Sequence, residues 1–211
     1  MKKKKRILPF LMVALIIAVL SAFFYHLFVP STKIVEKAKE LQMPEWVDEQ
    51  LIHIHSTART GILLEDINNI VIHYVGNPNT TAKNNRDYFD NPLTKVSSHF
   101  IVGLDGEVVQ CVPIYERSAA SNNRNKDTIS IETCHPDESG EFSEETYNSL
   151  VNLTAYLCYE LKLKEDDVIR HYDITGKICP KYYVENEDEW ENFKKDVGKA
   201  LDDYRKTKKD N

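Results

Sequence analysis

Two histidines and a cysteine in this 211-residue chain are of the residue types that bind transition metals. His73 follows an apolar run, and His171 and Cys179 lie close together in one segment near the C-terminus. Three nitrogen and sulfur ligands with an open fourth position are typical of catalytic rather than structural zinc. The spacing alone is weak evidence, because seven histidines and four cysteines offer many such triples. From composition alone, a core histidine and a small buried thiol are the more usual interpretation.

The sequence around these residues is more specific. Four blocks occur in order: NIVIHYVGNPNTTAKNNRDYF, VSSHFIVGLDGEVVQCVP, TISIETCHPD and RHYDITGKICP. Together they resemble the type-2 N-acetylmuramoyl-L-alanine amidases, which are zinc hydrolases related to the peptidoglycan recognition proteins. The resemblance covers roughly residues 68–183, and four ordered blocks are far more specific than any one of them.

The resemblance implies a site for amide hydrolysis. The family's two histidine ligands and its cysteine or aspartate ligand fall on His73, His171 and Cys179. The bound Zn²⁺ is expected to polarise the amide carbonyl and to lower the pKa of water to about 7. The family's strand glutamate corresponds to Glu132, which would transfer the proton. Lys177, two residues before the third ligand, would stabilise the oxyanion.

Two positions depart from the family pattern. Residues 117–123 read RSAASNN where many relatives have Trp-His-Ala-Gly, which leaves a substrate contact open. Ser98 stands where some relatives carry a catalytic tyrosine, so tyrosine chemistry is not expected. His99 is expected to be a structural histidine. The other three cysteines are expected to be small buried residues: Cys111, Cys134 and Cys158.

Hydrophobic periodicity predicts the elements that carry these residues. Residues 70–75 (IVIHYV) are almost wholly apolar, which favours a central strand covered on both faces. Asp105-Gly106 predicts a hairpin, and TISIETC predicts a further strand. A long core helix is expected after Ser143, followed by a short strand, a loop holding His171 and a closing helix. The predicted fold class is α/β, a mixed central β-sheet flanked by helices and preceded by one transmembrane helix.

The N-terminus predicts a membrane anchor. Residues 1–6 contain five basic side chains, and residues 7–29 contain no charged side chain. A helix of that length spans roughly 30 Å of hydrocarbon, and the basic cluster should stay in the cytoplasm. We therefore expect a single-pass protein of the cell membrane with an extracytoplasmic catalytic domain. The alternative is secretion after cleavage of a signal peptide.

The rest of the chain divides by composition into three parts. Residues 30–65 are predicted to form a stalk or packing arm, residues 66–206 the zinc amidase domain, and residues 207–211 a disordered tail.

Charge and motifs limit the partners. The net charge is −6, and without the five basic residues of the N-terminus 22 basic and 33 acidic residues leave −11. Such a body lacks the basic face that nucleic acid requires. We expect peptidoglycan as substrate, the membrane as attachment and a monomeric chain.

Two alternatives are a non-catalytic peptidoglycan-binding module, which the presence of Cys179 disfavours, and a zinc endopeptidase of the stem peptide, for which no HExxH motif is present.

Overall fold

A computed structural model of the protein describes residues 32–54 and 56–207. Its strands are β1 Val47–Glu49, β2 Asn69–Ile72, β3 Phe100–Val102, β4 Val108–Gln110, β5 Thr128–Thr133 and β6 Val168–Arg170. Its α-helices are α1 Lys33–Glu40, α2 Ala82–Phe89, α3 Glu144–Leu161, α4 His171–Thr175, α5 Lys181–Glu185 and α6 Glu187–Thr207. Short 3-10 helices lie at Asn122–Arg124 and Glu165–Asp167.

The strands form one mixed sheet in the order β1-β4-β3-β5-β2-β6. Strand β2 lies between β5 and β6 and is parallel to both, and β3 is parallel to β5. The hairpin predicted at Asp105-Gly106 is the antiparallel pair of β3 and β4. Gly106 takes a φ of 81° in its turn, a conformation that glycine adopts without strain. The mixed sheet flanked by helices that was predicted is therefore confirmed.

Apolar side chains on both faces of the sheet are buried against different elements. On one face, Ile70, Ile72 and Ile131 pack in the main core with helices α1, α3 and α6. On the other face, Ile101 and Val109 pack in a smaller core with α2. Burial on both faces explains why the central strands are apolar runs without alternation.

Helix α3 is the main core helix, and its boundaries follow from its sequence. The Ser143 hydroxyl accepts a hydrogen bond from the Thr146 amide at 3.2 Å, which satisfies one free donor of the first turn. Lys162 ends the helix in the left-handed conformation, with φ 57°. Leu150, Leu153 and Leu157 lie on the face that is fully buried.

The arm predicted at residues 30–65 packs on this domain in its described part. Helix α1 buries Val35 and Ala38 in the main core. Strand β1 pairs with β4 at the edge of the sheet, a strand that the sequence did not predict. A run of three residues is too short for a periodicity signal.

The remaining predictions concern the chain ends. The basic segment 1–6 and the anchor 7–29 lie outside the described residues, as do residues 208–211 of the predicted tail, whereas Thr207 is the last residue of α6. Among helices at residues 32–54 and 56–207, none combines the length and hydropathy needed to cross a bilayer.

Candidate metal centre

Three parallel strands end side by side and carry the predicted site residues. Ile72 of β2 pairs with Ile131 of β5 and with Arg170 of β6. The next residue of each strand is His73 after β2, Glu132 on β5 and His171 after β6, so the same register places His73 between Glu132 and His171. The His73 amide donates a hydrogen bond to the Ile131 carbonyl at 2.9 Å, which continues the pairing with β5. Ligand sites of open α/β sheets lie at these carboxyl ends of strands.

The segment from His171 to Cys179 folds back on itself. His171 is the first residue of α4, so the prediction that it lies in a loop was wrong; a single helical turn gives too weak a period to detect. Gly176 ends this helix with a φ of 76°, which reverses the chain. The Tyr172 amide then donates to the Cys179 carbonyl at 3.0 Å, which holds the cysteine next to the histidine.

The three candidate ligands form a compact buried cluster. One ligand atom from each of His73, His171 and Cys179 lies within 4.8 Å of the others. Cys179 Sγ is 3.8 Å from His73 Nδ1, and the two imidazole centroids are 4.7 Å apart. His171 Nδ1 is buried and has no hydrogen-bond partner within the described part of the chain. A buried imidazole nitrogen without a hydrogen-bond partner, close to a thiol and to a second imidazole, is an arrangement that fits a bound transition metal.

The surroundings control the charge of the ligand groups. Burial, then the neighbouring charges of His171 and Lys177, lower the pKa of His73 well below its usual value. Burial and then Lys177 lower the pKa of His171. Both imidazoles are thus neutral at pH 7, the state that ligates metals. Burial and then the Glu132 charge raise the pKa of the Cys179 thiol to about 12, so its proton leaves only when a cation compensates the thiolate.

Glu132 lies next to this cluster on β5. Its side chain is mostly buried, and its Oε2 atom is enclosed without a hydrogen-bond partner among residues 32–54 and 56–207. Burial raises the pKa of Glu132 to about 8, and the positive charge of Lys177 partly opposes that rise. A carboxyl group with a pKa near neutrality can both accept and deliver a proton at pH 7.

Two adjoining concavities open at the cluster. Four of the five predicted site residues line a cavity of about 210 Å³, namely His73, Glu132, His171 and Lys177. A larger, open groove of about 650 Å³ adjoins this cavity, and His171 and Lys177 line both of them. Lys177 is exposed and lines both concavities.

Two polar residues contact the histidines from outside the cluster, and sequence reasoning missed both. Ser121 Oγ lies 3.3 Å from His73 Nε2, and Asn122 Oδ1 lies 2.9 Å from His171 Nε2. Both belong to the RSAASNN segment, where the departure from the family pattern left a substrate contact open. A run of serine and asparagine is typical of any turn, so no sequence signal marks these contacts.

His99 and the other three cysteines are buried structural residues, as expected. His99 is fully buried, with Nδ1 3.0 Å from Ser130 Oγ and Nε2 2.8 Å from the Glu116 carbonyl oxygen. Burial lowers the pKa of His99 to about 4. The remaining cysteines are free and buried: Cys111, Cys134 and Cys158.

Comparison with known proteins assigns the family. Residues 63–182 match the family described as N-acetylmuramoyl-L-alanine amidase (Amidase_2). The chain belongs to this amidase family. The matched range includes every candidate site residue and all of the sheet except β1.

Curated relatives of this amidase family come from bacilli. The amidase CwlL of Bacillus licheniformis is 28% identical over 172 residues, which covers 74% of this chain and 47% of that protein. The amidase BlyA of Bacillus subtilis is 30% identical over 167 residues, covering 69% and 45%. The chain therefore spans about half the length of the curated amidases that it matches.

Solved structures share the fold. A mutant endolysin from Bacillus subtilis superposes with a TM-score of 0.64 and 25% identity, covering 72% of this chain and 98% of that one. The catalytic domain of PlyG has a TM-score of 0.64 at 21% identity, with coverage of 74% and 94%.

Proposed function

We propose that this protein is a zinc-dependent amidase that hydrolyses the bond between N-acetylmuramic acid and L-alanine in peptidoglycan. The observation that carries the proposal is the compact cluster of His73, His171 and Cys179 beside Glu132, whose Oε2 atom is buried, in a chain of the amidase family. CwlL and BlyA are named N-acetylmuramoyl-L-alanine amidases, which supports the same bond as the substrate here.

The donor set suits zinc. Two imidazole nitrogens and one thiolate would hold the ion, and three protein ligands are the number typical of catalytic sites. When bound, zinc supplies Lewis acidity toward the amide carbonyl and acidifies water at neutral pH. The unpaired His171 Nδ1 supports this assignment, because a buried imidazole nitrogen without a partner costs free energy unless it meets a ligand.

Glu132 would move the proton in the reaction. Its carboxylate accepts a proton from the attacking water in the cavity and then delivers that proton to the amine of L-alanine as the C–N bond breaks. Because the pKa of Glu132 is about 8 in the metal-free protein, the protonated form that delivers the proton is readily populated. The positive charges of Lys177 and of a bound cation favour the carboxylate form, which accepts the proton from water.

Lys177 and the outer groove would bind the negative charges of the substrate. Lys177 is exposed and lines the cavity, so its ammonium group can approach the developing oxyanion. The groove beyond it is lined by Lys95, Asn122 and Asn125 and by no carboxylate. Because the stem peptide of peptidoglycan carries carboxylates, we assign the peptide to this groove and the glycan to the opposite side of the cavity.

The test is digestion of purified peptidoglycan by the full-length chain in mild detergent, with zinc or with a chelator, followed by mass analysis. Metal-dependent release of intact stem peptides with a free L-alanine amine is expected. A Cys179→Ser variant is the matched control and should release none. Cleaved stem peptides would indicate an endopeptidase, and binding without release would indicate a recognition module; either result contradicts the proposal.

We further propose that residues 7–29 anchor the chain in the cell membrane with the catalytic domain outside, where its substrate lies. The proposal rests on the uncharged run and on the five basic residues before it. We also propose that the chain acts as a monomer.

A further inference from the structure

The outer nitrogens of both candidate ligand histidines contact consecutive residues of one short segment. Ser121 is fully buried and lies 3.3 Å from His73 Nε2. Asn122 Oδ1 lies 2.9 Å from His171 Nε2. These contacts leave Nδ1 of each ring facing the cluster, with His73 Nδ1 3.8 Å from Cys179 Sγ.

The segment is built to hold this arrangement. The Asn125 side-chain oxygen accepts hydrogen bonds from the amides of Ala120 and Ser121, at 3.1 Å and 2.6 Å. Asn122 has a φ of 54°, the left-handed region that side chains other than asparagine, aspartate and glycine rarely adopt. The turn therefore restricts the choice of residue at the position that meets His171.

The acceptor at Asn122 decides which nitrogen of His171 carries the proton. An amide oxygen can only accept, so His171 Nε2 must donate, and the lone pair then lies on the unpaired Nδ1. A ring with its lone pair directed into the cluster binds a cation without first changing tautomer. Partners of this kind orient ligand histidines and typically change metal affinity by about 10- to 100-fold when removed.

We propose that Ser121 and Asn122 are positioning residues of the metal centre, which hold His73 and His171 in the orientation that binds zinc, and that Asn122 also fixes the tautomer of His171. The proposal rests on the metal-binding part of the proposed function and does not depend on which bond the enzyme cuts. It gives a role to the RSAASNN segment, which departs from the family pattern.

Asn122 variants separate the hydrogen bond from the turn. Asn122→Gly removes the acceptor and keeps the positive φ, whereas Asn122→Asp keeps an acceptor oxygen. The adjacent, exposed Asn123 supplies the control Asn123→Gly. The zinc dissociation constant of the full-length chain is measured in mild detergent by competition with a chelating dye.

We expect the dissociation constant to rise about 10- to 100-fold for Asn122→Gly and to stay within about threefold for Asn122→Asp and Asn123→Gly. Ser121→Ala should raise the dissociation constant about 10-fold, at the lower end of this range because its contact is longer, and a change within about threefold would contradict the role of Ser121. Parent-like affinity of Asn122→Gly, or a parent protein that does not bind zinc, would overturn the proposal. Zinc binding with no release from peptidoglycan would instead overturn only the proposed amidase activity.

A second measurement detects the tautomer without any metal. In the metal-free protein, nitrogen-15 shifts should show His171 protonated at Nε2 in the parent and in Asn122→Asp. Asn122→Gly should show a mixture of tautomers, an effect that loss of packing alone does not produce. A parent His171 protonated at Nδ1 would contradict the role of Asn122.

Discussion

Glu132 has an environment that is costly for its charged form. Its Oε2 atom is enclosed without a partner in the described part of the chain, and the positive charge of Lys177 compensates only part of the cost of burial. Functional sites concentrate such groups, because a group tuned to neutral pH is useful for proton transfer and unfavourable for stability. This conflict gives the residue two measurable signatures.

Glu132→Gln should abolish turnover and leave zinc bound, and it should also stabilise the metal-free protein. The pKa of Glu132 rises from 4.5 to about 8 on folding, so the folded state retains the proton longer and stability falls as pH rises across that window. Glutamine does not ionise, so the stability of Glu132→Gln does not fall over this pH range for that reason. Urea unfolding should show a gain that grows from pH 4.5 to pH 8, up to about 2–4 kcal/mol. Equal stability of variant and parent at pH 8 would contradict the buried carboxyl.

Lys177→Met should shift the pH dependence of catalysis. Lys177 lowers the pKa of Glu132, so its removal raises that pKa and moves the acidic limb of kcat/KM to higher pH. Loss of a charge beside the oxyanion should also reduce kcat, by about 10-fold for an exposed group. Lys177→Arg should retain the parent pH profile. The exposed Lys199 on α6 provides the control Lys199→Met, and an unchanged acidic limb in Lys177→Met would separate Lys177 from Glu132.

For individual residues, the sequence predicts the candidate metal ligands, but it does not predict the polar residues that contact those ligands. His73, His171 and Cys179 could be proposed because four ordered motifs surround them. Ser121 and Asn122 could not, because they meet the histidines across separations of 48 and 49 residues. Only the register of the strands brings these partners together.

Elements differ in how much of their structure local sequence determines. The apolar run around strand β2 and the helical spacing of leucines in α3 are both visible in the sequence, and both elements are predicted. Helix α4 and strand β1 are short, and each contacts a partner distant in sequence, namely Asn122 for α4 and β4 for β1. Tertiary contacts therefore determine these elements, and one of them carries His171.

A buried ion pair holds the C-terminal part of the arm. Arg59 donates to both carboxylate oxygens of Glu116 at 2.8 Å, and to the Ile52 carbonyl at 2.8 Å. The Glu116 carbonyl oxygen in turn contacts His99 Nε2. This network ties the arm to the segment after β4 that leads to the cavity-lining residues Ala119 and Ala120.

Glu116→Ala should be strongly destabilising. It leaves the Arg59 guanidinium buried without its partner, and breaking a buried pair costs about 3–5 kcal/mol. The half-exposed pair of Arg117 and Glu65 supplies the control, since Glu65→Ala should cost less than about 1 kcal/mol. Urea midpoints of the two variants measure the difference, and equal losses would show that the buried pair does not secure the arm.

The whole molecule joins an acidic domain of the amidase family to a basic, apolar N-terminus. A net charge of −11 outside the first six residues repels the domain from anionic headgroups, so electrostatics alone would not hold it at a membrane. The uncharged run of residues 7–29 is long enough for a helix to cross roughly 30 Å of hydrocarbon. Attachment should therefore be hydrophobic and independent of salt.

Fractionation of cells that express the chain tests this expectation. The full-length protein should sediment with membranes, resist extraction by high salt and by carbonate at high pH, and dissolve in detergent. Replacing Leu15 and Val19 by Arg should release it, because each arginine at a helix centre costs about 2.5–3.5 kcal/mol. Replacing Lys2 and Lys3 by Gln, which changes charge without reducing the apolar length, is the matched control for retention.

A shortened product in the medium would identify the N-terminus as a cleaved signal, and extraction of the intact chain by salt would mean that its attachment is electrostatic.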